Sequence, residues 1–144
     1  MRAVVQLVKE ASVTVENRIV GKIGAGLMVL FGIHKDDTSE KIPWMVQKLI
    51  HLRIFSDEQG KMNRSVLDIG GEILVVSQFT LYGNCNSGRR PDFLEAARPE
   101  MAKPIYEKLV QELSTQIKVK TGEFGAMMEV SLVNDGPVTL ILEH

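Results

Sequence analysis

The segment Ser77-Gln78-Phe79-Thr80-Leu81 follows directly on the apolar run Ile73 to Val76, and Asn134-Asp135-Gly136-Pro137-Val138-Thr139 interrupts a second apolar stretch near the C-terminus. Each places polar or conformationally special residues where a strand leaves the core, a common way for a rigid scaffold to present a site. Neither pairs a nucleophile with a base. Thr80 would need an adjacent base to act as a nucleophile, and its neighbourhood in the sequence supplies none. Its plainer reading is a β-branched residue at a strand end with its hydroxyl bonded to backbone. The chemistry best suited to these residues is positional. Ser77, Gln78 and Thr80 orient a ligand, while the backbone N–H groups of Phe79 and Thr80 stabilise a developing oxyanion. Gln78 reads equally well as a residue on the solvent face, and Phe79 as a core residue alternating with the apolar strand positions.

Gly136-Pro137 has two readings. The bland one is an ordinary turn or edge-strand start, because proline removes a ladder donor and glycine reaches backbone geometry closed to other residues. The functional one is a rigid backbone wedge. Phe124, between Gly122 and Gly125, is either a stacking face for a nucleobase or a plug under a turn. Arg89 and Arg90 either contact phosphates or form a solvated pair. No metal is expected: His34, His51 and His144 are scattered, and no His/Cys pair has ligand spacing. Gly21 to Gly26 lacks the Lys-Ser/Thr ending of a phosphate-binding loop and feeds a strand, so it reads as turn chemistry. His51 falls at a helix end, where it caps or covers the surface.

The elements that must position these residues are mostly strands. Ala3-Val4-Val5 opens one. Ser12 to Val15 alternates as a second, and Glu16-Asn17 turns into a third over Ile19 to Ile23. Leu27 to Ile33 is a buried run following Gly24 and Gly26. Ile42, Met45, Val46, Leu49 and Ile50 have helical spacing, with Pro43 in the first turn and Trp44 off the apolar stripe. After turns at Asp57-Gly60 and Asp68-Gly71, a strand is predicted from Glu72 to Phe79, then a polar loop from Tyr82 to Arg90. A second helix begins at Arg98-Pro99-Glu100 and buries Ile105, Leu109 and Leu113, with Pro104 limiting where its first turn lies. Two strands, Met128 to Val133 and Val138 to Leu142, complete the chain. This predicts an α+β fold: one domain over residues 1–144, with a curved, mainly antiparallel, barrel-like sheet and two principal helices.

Composition narrows the function classes. A chain of 144 residues, 44% hydrophobic and 24% charged, is one ordinary globular domain with a sizeable core. A net charge of −1 argues against bulk electrostatic gripping of nucleic acid but allows recognition of a short nucleic-acid end; no DNA partner is expected. The single cysteine, Cys85, cannot form an internal disulfide. No secretory signal is read at Met1-Arg2-Ala3-Val4, and runs such as Leu27 to Phe31 are too short to span a bilayer. The expectation is a cytoplasmic protein without membrane partners or cofactors.

The two opening segments, together with Gly60-Lys61-Met62-Asn63, Gly88-Arg89-Arg90-Pro91 and Thr121-Gly122-Glu123-Phe124, resemble the D-aminoacyl-tRNA deacylases over essentially the full chain. Order and spacing make the combined match specific, although each fragment alone is weak. The resemblance implies a homodimer that hydrolyses the ester between a D-amino acid, or glycine, and the 3′-terminal ribose of tRNA. It further implies that a Gly136-cis-Pro137 element from one subunit enters the other's site and excludes L-amino acids. Ser77 to Thr80 would form the wall and oxyanion edge, Phe124 would lie near the terminal adenosine, and the ribose 2′-hydroxyl would assist water. One position departs from the family: an arginine commonly follows the first strand's glutamine and helps hold the Gly-Pro element, whereas here Leu7 follows Gln6. Two competing readings are an editing deacylase for a mischarged L-aminoacyl-tRNA and a non-catalytic tRNA-end binding module.

Overall fold

A computed structural model describes residues 1–144. In chain order the elements are β1 (Arg2–Val15), β2 (Arg18–Ile23), β3 (Gly26–Gly32), α1 (Ile42–His51), β4 (Phe55–Ser56), β5 (Met62–Arg64), β6 (Glu72–Ser77), α2 (Pro99–Ser114), β7 (Lys118–Thr121) and β8 (Glu129–Glu143). Strand β1 organises the main sheet. Its N-terminal half pairs antiparallel with β3, its C-terminal half pairs antiparallel with β2, and its opposite edge pairs antiparallel with β8. From β3 the sheet continues in parallel through β6 to β7. Strands β4 and β5 form a separate small hairpin.

The hairpin joining β1 to β2 turns on Glu16 and Asn17, with φ values of 47° and 61°. Two consecutive positive φ angles match the right-handed strand twist at a tight hairpin. At the far side of the sheet, β2 closes on β7. A Cβ added at Gly21 would overlap the carbonyl oxygen of Thr121, so only glycine lets the two backbones meet. The sheet is thereby curved almost into a barrel.

Side-chain alternation along the central strands divides the core in two. Leu27, Val29 and Phe31 of β3 and Ile73 and Val75 of β6 face the helices, where they meet Met45, Leu49, Ile105 and Leu109. Met28, Leu74 and Val76 point into the barrel with Val8, Ala11, Val13, Val15 and Ile23. Strands buried on both faces read as continuous apolar runs, as β3 and β6 do. Both helices bury the faces that their spacing indicated: Ile42, Met45, Val46, Leu49 and Ile50 in α1, and Ile105, Leu109 and Leu113 in α2.

Several boundaries differ from expectation. The first two expected strands are one continuous strand of fourteen residues, with the exposed Lys9 and Glu10 in its middle. The strand expected to run to Phe79 stops at Ser77 and gives way to a 3-10 turn over Phe79–Tyr82. The two C-terminal strands are one, β8, and β7 was not foreseen. Pro104 lies inside α2, where its missing N–H leaves the Glu100 carbonyl without a helical donor. No helix is long and apolar enough to cross a membrane.

Ionic contacts tie the strand ends. The Met1 amino group lies 2.6 Å from the buried Asp37 carboxylate, which also accepts from Lys41 Nζ at 2.8 Å. Burial alone would raise the Asp37 pKa, but these bonds and one from the His34 amide hold it below the usual range. The Glu72 carboxylate accepts from Lys118 of β7 and, at 2.9 Å, from the Gly24 amide. The Lys118 bond first, and the Gly24 amide second, hold the Glu72 carboxyl below its ordinary pKa.

Two predictions follow from this frame. Gly21→Ala should cost about 1–3 kcal/mol, as overpacking against immovable backbone does, whereas Gly24→Ala, with open space around it, should stay within about 0.5 kcal/mol. Urea unfolding of both variants checks the contrast, and equal losses would refute closure at Gly21. For Glu72, a depressed folded pKa means stabilisation that is complete above the unfolded value of 4.5 and disappears as pH falls through the folded value. Glu72→Gln should therefore lower stability at pH 7 by about 1 kcal/mol, with the gap to the parent protein closing in acid. A gap of equal size at pH 7 and pH 3 would rule out this linkage.

Candidate active site

Strand β6 carries the first of the two sequence segments to the sheet's end. Its last ladder bond runs from Gln78 N to the Phe31 carbonyl, 2.8 Å. Gln78 then adopts φ −145°, ψ 83°, and the chain coils into the Phe79–Tyr82 turn. Within that turn the first donor is Leu81 N, to Gln78 O at 3.3 Å, and Gly83 N follows, to Thr80 O at 2.9 Å. The amides of Phe79 and Thr80 precede these bonds and take no acceptor from the turn, as at any helical N-terminus. From β1, Arg2 fixes the turn's far end: its guanidinium donates to Leu81 O at 2.5 Å, lies over the Tyr82 ring at 4.9 Å and pairs with Glu143. Burial pushes the Tyr82 hydroxyl up to about 12, so it stays protonated at neutral pH.

Beside the turn opens a cavity of about 700 Å³, lined by thirteen hydrophobic residues out of eighteen. Ser77, Gln78 and Phe79 form one wall. Phe93, Ala96 and Ala97 lie along the segment leading into α2, whose Arg98, Pro99 and Ala102 also contribute. Phe124 to Met128 and Val130 close the remaining side. Arg98 is the one ionisable side chain in this lining, and a guanidinium carries donors and no acceptor, so the walls offer no general base.

Two aromatic residues frame the space. Phe79 is 57% exposed, so the core reading of that residue is wrong: its strand ends before it, and its ring meets the edge of Phe93 at 5.1 Å. Phe124 is half-buried and presents its ring to the cavity while packing against Tyr106 at 5.6 Å. Tyr106 is itself held by its hydroxyl, which donates to Val75 O at 3.0 Å. The same carbonyl accepts from Gly122 N at 3.2 Å, so β6, α2 and the Phe124 loop share one anchor. Burial raises the Tyr106 hydroxyl pKa far above neutrality, and it serves there as a fixed donor.

The sequence-derived residues are partly assembled. Ser77, Gln78, Phe79 and Phe124 meet at the cavity, and Thr80 sits at its rim, its hydroxyl accepting from Gln78 Nε2. Gly136 and Pro137 are elsewhere. They project from β8, separated from β6 by β1 and β3, three strand spacings or about 14 Å across the sheet. The Gly136–Pro137 peptide is cis, with Gly136 at φ 111°. Arg89 and Arg90 lie in an exposed loop closed by paired backbone bonds between Asn84 and Asp92, and neither lines the cavity. Sequence reading missed Phe93, Arg98 and Met127 as cavity residues. Phe93 carried a weak signal, a lone aromatic ending a polar loop. Arg98 and Met127 carried none.

The chain is similar to known proteins over nearly its full length. The sequence model of a family described as D-Tyr-tRNA(Tyr) deacylase matches residues 4–143. A protein of Thermosipho africanus named D-aminoacyl-tRNA deacylase is 60% identical over 144 residues, covering 99% of this chain and 97% of its own length. A Geobacillus protein of the same name is also 60% identical, with 99% and 95% covered. Among solved structures, one titled "c-Myc DNA Unwinding Element Binding Protein" superposes with a TM-score of 0.94 at 44% identity, covering 100% of this chain and 99% of the other. A probable eukaryotic D-amino acid tRNA deacylase shares the fold, with a TM-score of 0.84 at 21% identity and coverage of 98% and 97%.

Proposed function

This chain belongs to the D-aminoacyl-tRNA deacylase family, and from that membership we propose how its site performs the reaction. It is an enzyme that deacylates D-aminoacyl-tRNA, releasing the amino acid from the tRNA 3′ end. In our reading the terminal adenosine enters the apolar cavity against Phe124, as a nucleobase favours an aromatic face. The ester carbonyl then lies at the Phe79–Thr80 turn, where the two leading amides donate to the oxygen as it becomes negative. Gln78 and Ser77 orient the aminoacyl group. Glycine, lacking a side chain, fits the same place, so glycyl-tRNA is a second substrate.

The observation that carries this reading is a hydrolytic site whose only ionisable lining residue is Arg98. Water attack on an ester needs a proton acceptor or a group that orients the water, and the cavity wall provides none. The substrate's vicinal 2′-hydroxyl supplies that function, bonded to the attacking water and close to the ester carbon. Thr80 orients through Gln78 and does not itself attack.

Selectivity comes from a second subunit. Strand β8, at the open edge of the sheet, presents Val133, Leu140 and Ile141 to solvent. Apolar residues on an open sheet edge favour burial against another chain. We therefore read the enzyme as a symmetric homodimer in which Gly136–Pro137 of each protomer enters its partner's site and clashes with an L side chain. That crossing accounts for the separation of Gly136–Pro137 from Ser77–Thr80 within one chain. The enzyme acts in the cytoplasm, where aminoacyl-tRNA is made and used. The DNA binding named for the 44% identical structure is not carried over, because a net charge of −1 gives no electrostatic drive toward a duplex.

The decisive measurement charges one tRNA with the D and L forms of one amino acid and follows release by the purified protein. Fast release from the D form alone is expected. Release from the L form alone would favour an L-editing relative, and binding without release a tRNA-end module. Thr80→Ala should keep appreciable turnover, whereas losing a covalent nucleophile would cost on the order of 10⁴–10⁶-fold. A terminal 2′-deoxyribose should abolish turnover with binding retained, and unchanged turnover would refute assistance by that hydroxyl. Activity should also survive exhaustive chelation.

A further inference from the structure

Between β1 and β8 the antiparallel register slips twice: by one residue at Lys9, which stands unpaired between Val8 and Glu10, and by more between Gln6 and Val8. Gln6 pairs with Thr139 and Val8 pairs with Asn134, so the four residues Asp135 to Val138 stand opposite Leu7 alone. They form a large bulge with Gly136–Pro137 at its projecting part. A bulge this size removes ladder bonds and leaves the strand free to swing at its neck. Something else must set the angle at which Gly136–Pro137 leaves the sheet.

The Asn134 side chain closes that neck. Its Nδ2 donates to the Leu7 carbonyl at 2.9 Å on the facing strand and to the Val138 carbonyl at 3.0 Å on the bulge's far side. Its Oδ1 accepts from Thr139 Oγ1 at 3.4 Å, and that hydroxyl accepts in turn from Gln6 Nε2 at 3.3 Å. One carboxamide thus uses both donors and its acceptor to join β1 to both ends of the bulge. No other side-chain bond does this. The Lys9–Asp135 pair is 3.9 Å long and exposed on both sides, a contact of little worth. Position 7 contributes only its carbonyl, since the Leu7 side chain is buried in the helix-side core at 7% exposure.

We propose that Asn134 is a positioning residue for stereochemical discrimination, holding the Gly136–Pro137 projection at the angle that excludes L-amino acids from the partner's site. This rests on the reading above that Gly136–Pro137 is the excluding element. Geometry makes asparagine specific here. Aspartate has the same shape but turns a carboxylate oxygen toward two carbonyl oxygens, replacing two attractions by two repulsions. Serine and alanine leave both carbonyls unpaired. An element that rejects by clash must be held rigidly, because a small rotation opens the space that it denies.

The test measures kcat/KM on D- and L-charged forms of the same tRNA, together with melting temperature and dimer content, for the parent protein and four variants. Asn134→Asp should lower the D-to-L ratio about tenfold or more, mainly through faster L hydrolysis, consistent with two hydrogen bonds lost. Thr139→Val, which keeps side-chain shape but removes both the bond to Asn134 and the link to Gln6, should lower it about threefold, since both bonds are long, and serves if Asn134→Asp does not fold. Lys9→Ala should leave the ratio unchanged. Pro137→Ala separates the inference from the reading beneath it. If Pro137→Ala lowers the ratio while folded Asn134→Asp and Thr139→Val do not, the excluding element stands and the role of Asn134 is overturned. If no variant changes the ratio, both fail. Loss of D and L hydrolysis in equal proportion by Asn134→Asp and Thr139→Val would mark a merely structural residue and also overturn the proposal.

Discussion

The hydrogen bond from Gln78 N to the Phe31 carbonyl, 2.8 Å long, is the last that β6 makes with β3, and the site depends on where it falls. Strand β3 itself ends at Gly32, where an added Cβ would come 2.9 Å from the Gln78 carbonyl. Beyond this close approach β6 has no neighbour to continue along. The backbone must satisfy its polar groups otherwise, and it does so by coiling into the Phe79–Tyr82 turn. Had the ladder continued for two more residues, the Phe79 and Thr80 amides would belong to the sheet. Ending it at Ser77 frees them and lifts Phe79 out of the core toward Phe93.

The surrounding scaffold keeps that short turn from drifting. Arg2 draws the Leu81 carbonyl toward β1, and Glu143 of β8 holds the Arg2 guanidinium from the other side. On the opposite wall the Val75 carbonyl collects donors from Tyr106 and Gly122, so Phe124 is carried by the strand that presents Gln78. Both walls of the cavity are therefore referred to β6. Because that strand is buried on both faces between two cores, the walls keep their spacing through packing.

How much of this was legible depends on the range of the interactions that decide each element. The α1 stripe from Ile42 to Ile50 and the α2 positions Ile105, Leu109 and Leu113 were readable because helical burial follows local spacing. The turn at Glu16-Asn17 was readable because two residues settle it. The continuity of β1 was not, since Lys9 and Glu10 look like a break until β8 is seen to pair on both sides of Lys9. Nor was β7: Lys118–Thr121 is short and charged, and it is a strand because β6 offers a parallel edge. Phe79 failed for a related reason. Its alternation with Ile73 and Val75 is that of a core residue, but the absence of a β3 partner beyond Gly32 outweighs the pattern. The place of Ser77 and Gln78 at the strand's end, where they line the cavity, was nevertheless legible, because their position after an apolar run survives a two-residue error in that end.

The β8 bulge shows the same dependence on a neighbour, with the opposite outcome. There the partner strand does continue, and the chain leaves it and rejoins it, with four residues facing one. A strand that departs for good can end in a free turn, whereas one that returns must have both ends of its excursion fixed to the same edge. Asn134 and Thr139 are the last paired residues before and after the excursion, and their side chains are bonded to each other. The sequence displays this as polar residues bracketing Gly136-Pro137, yet the bracket acquires meaning only from the Leu7 carbonyl, 127 positions away. The proposed catalysis and discrimination thus fall at two interruptions of one sheet. The first exposes backbone donors by ending a ladder, and the second projects backbone bulk by opening one. A site made from interruptions needs few reactive side chains, but it requires every surrounding strand to be held in register.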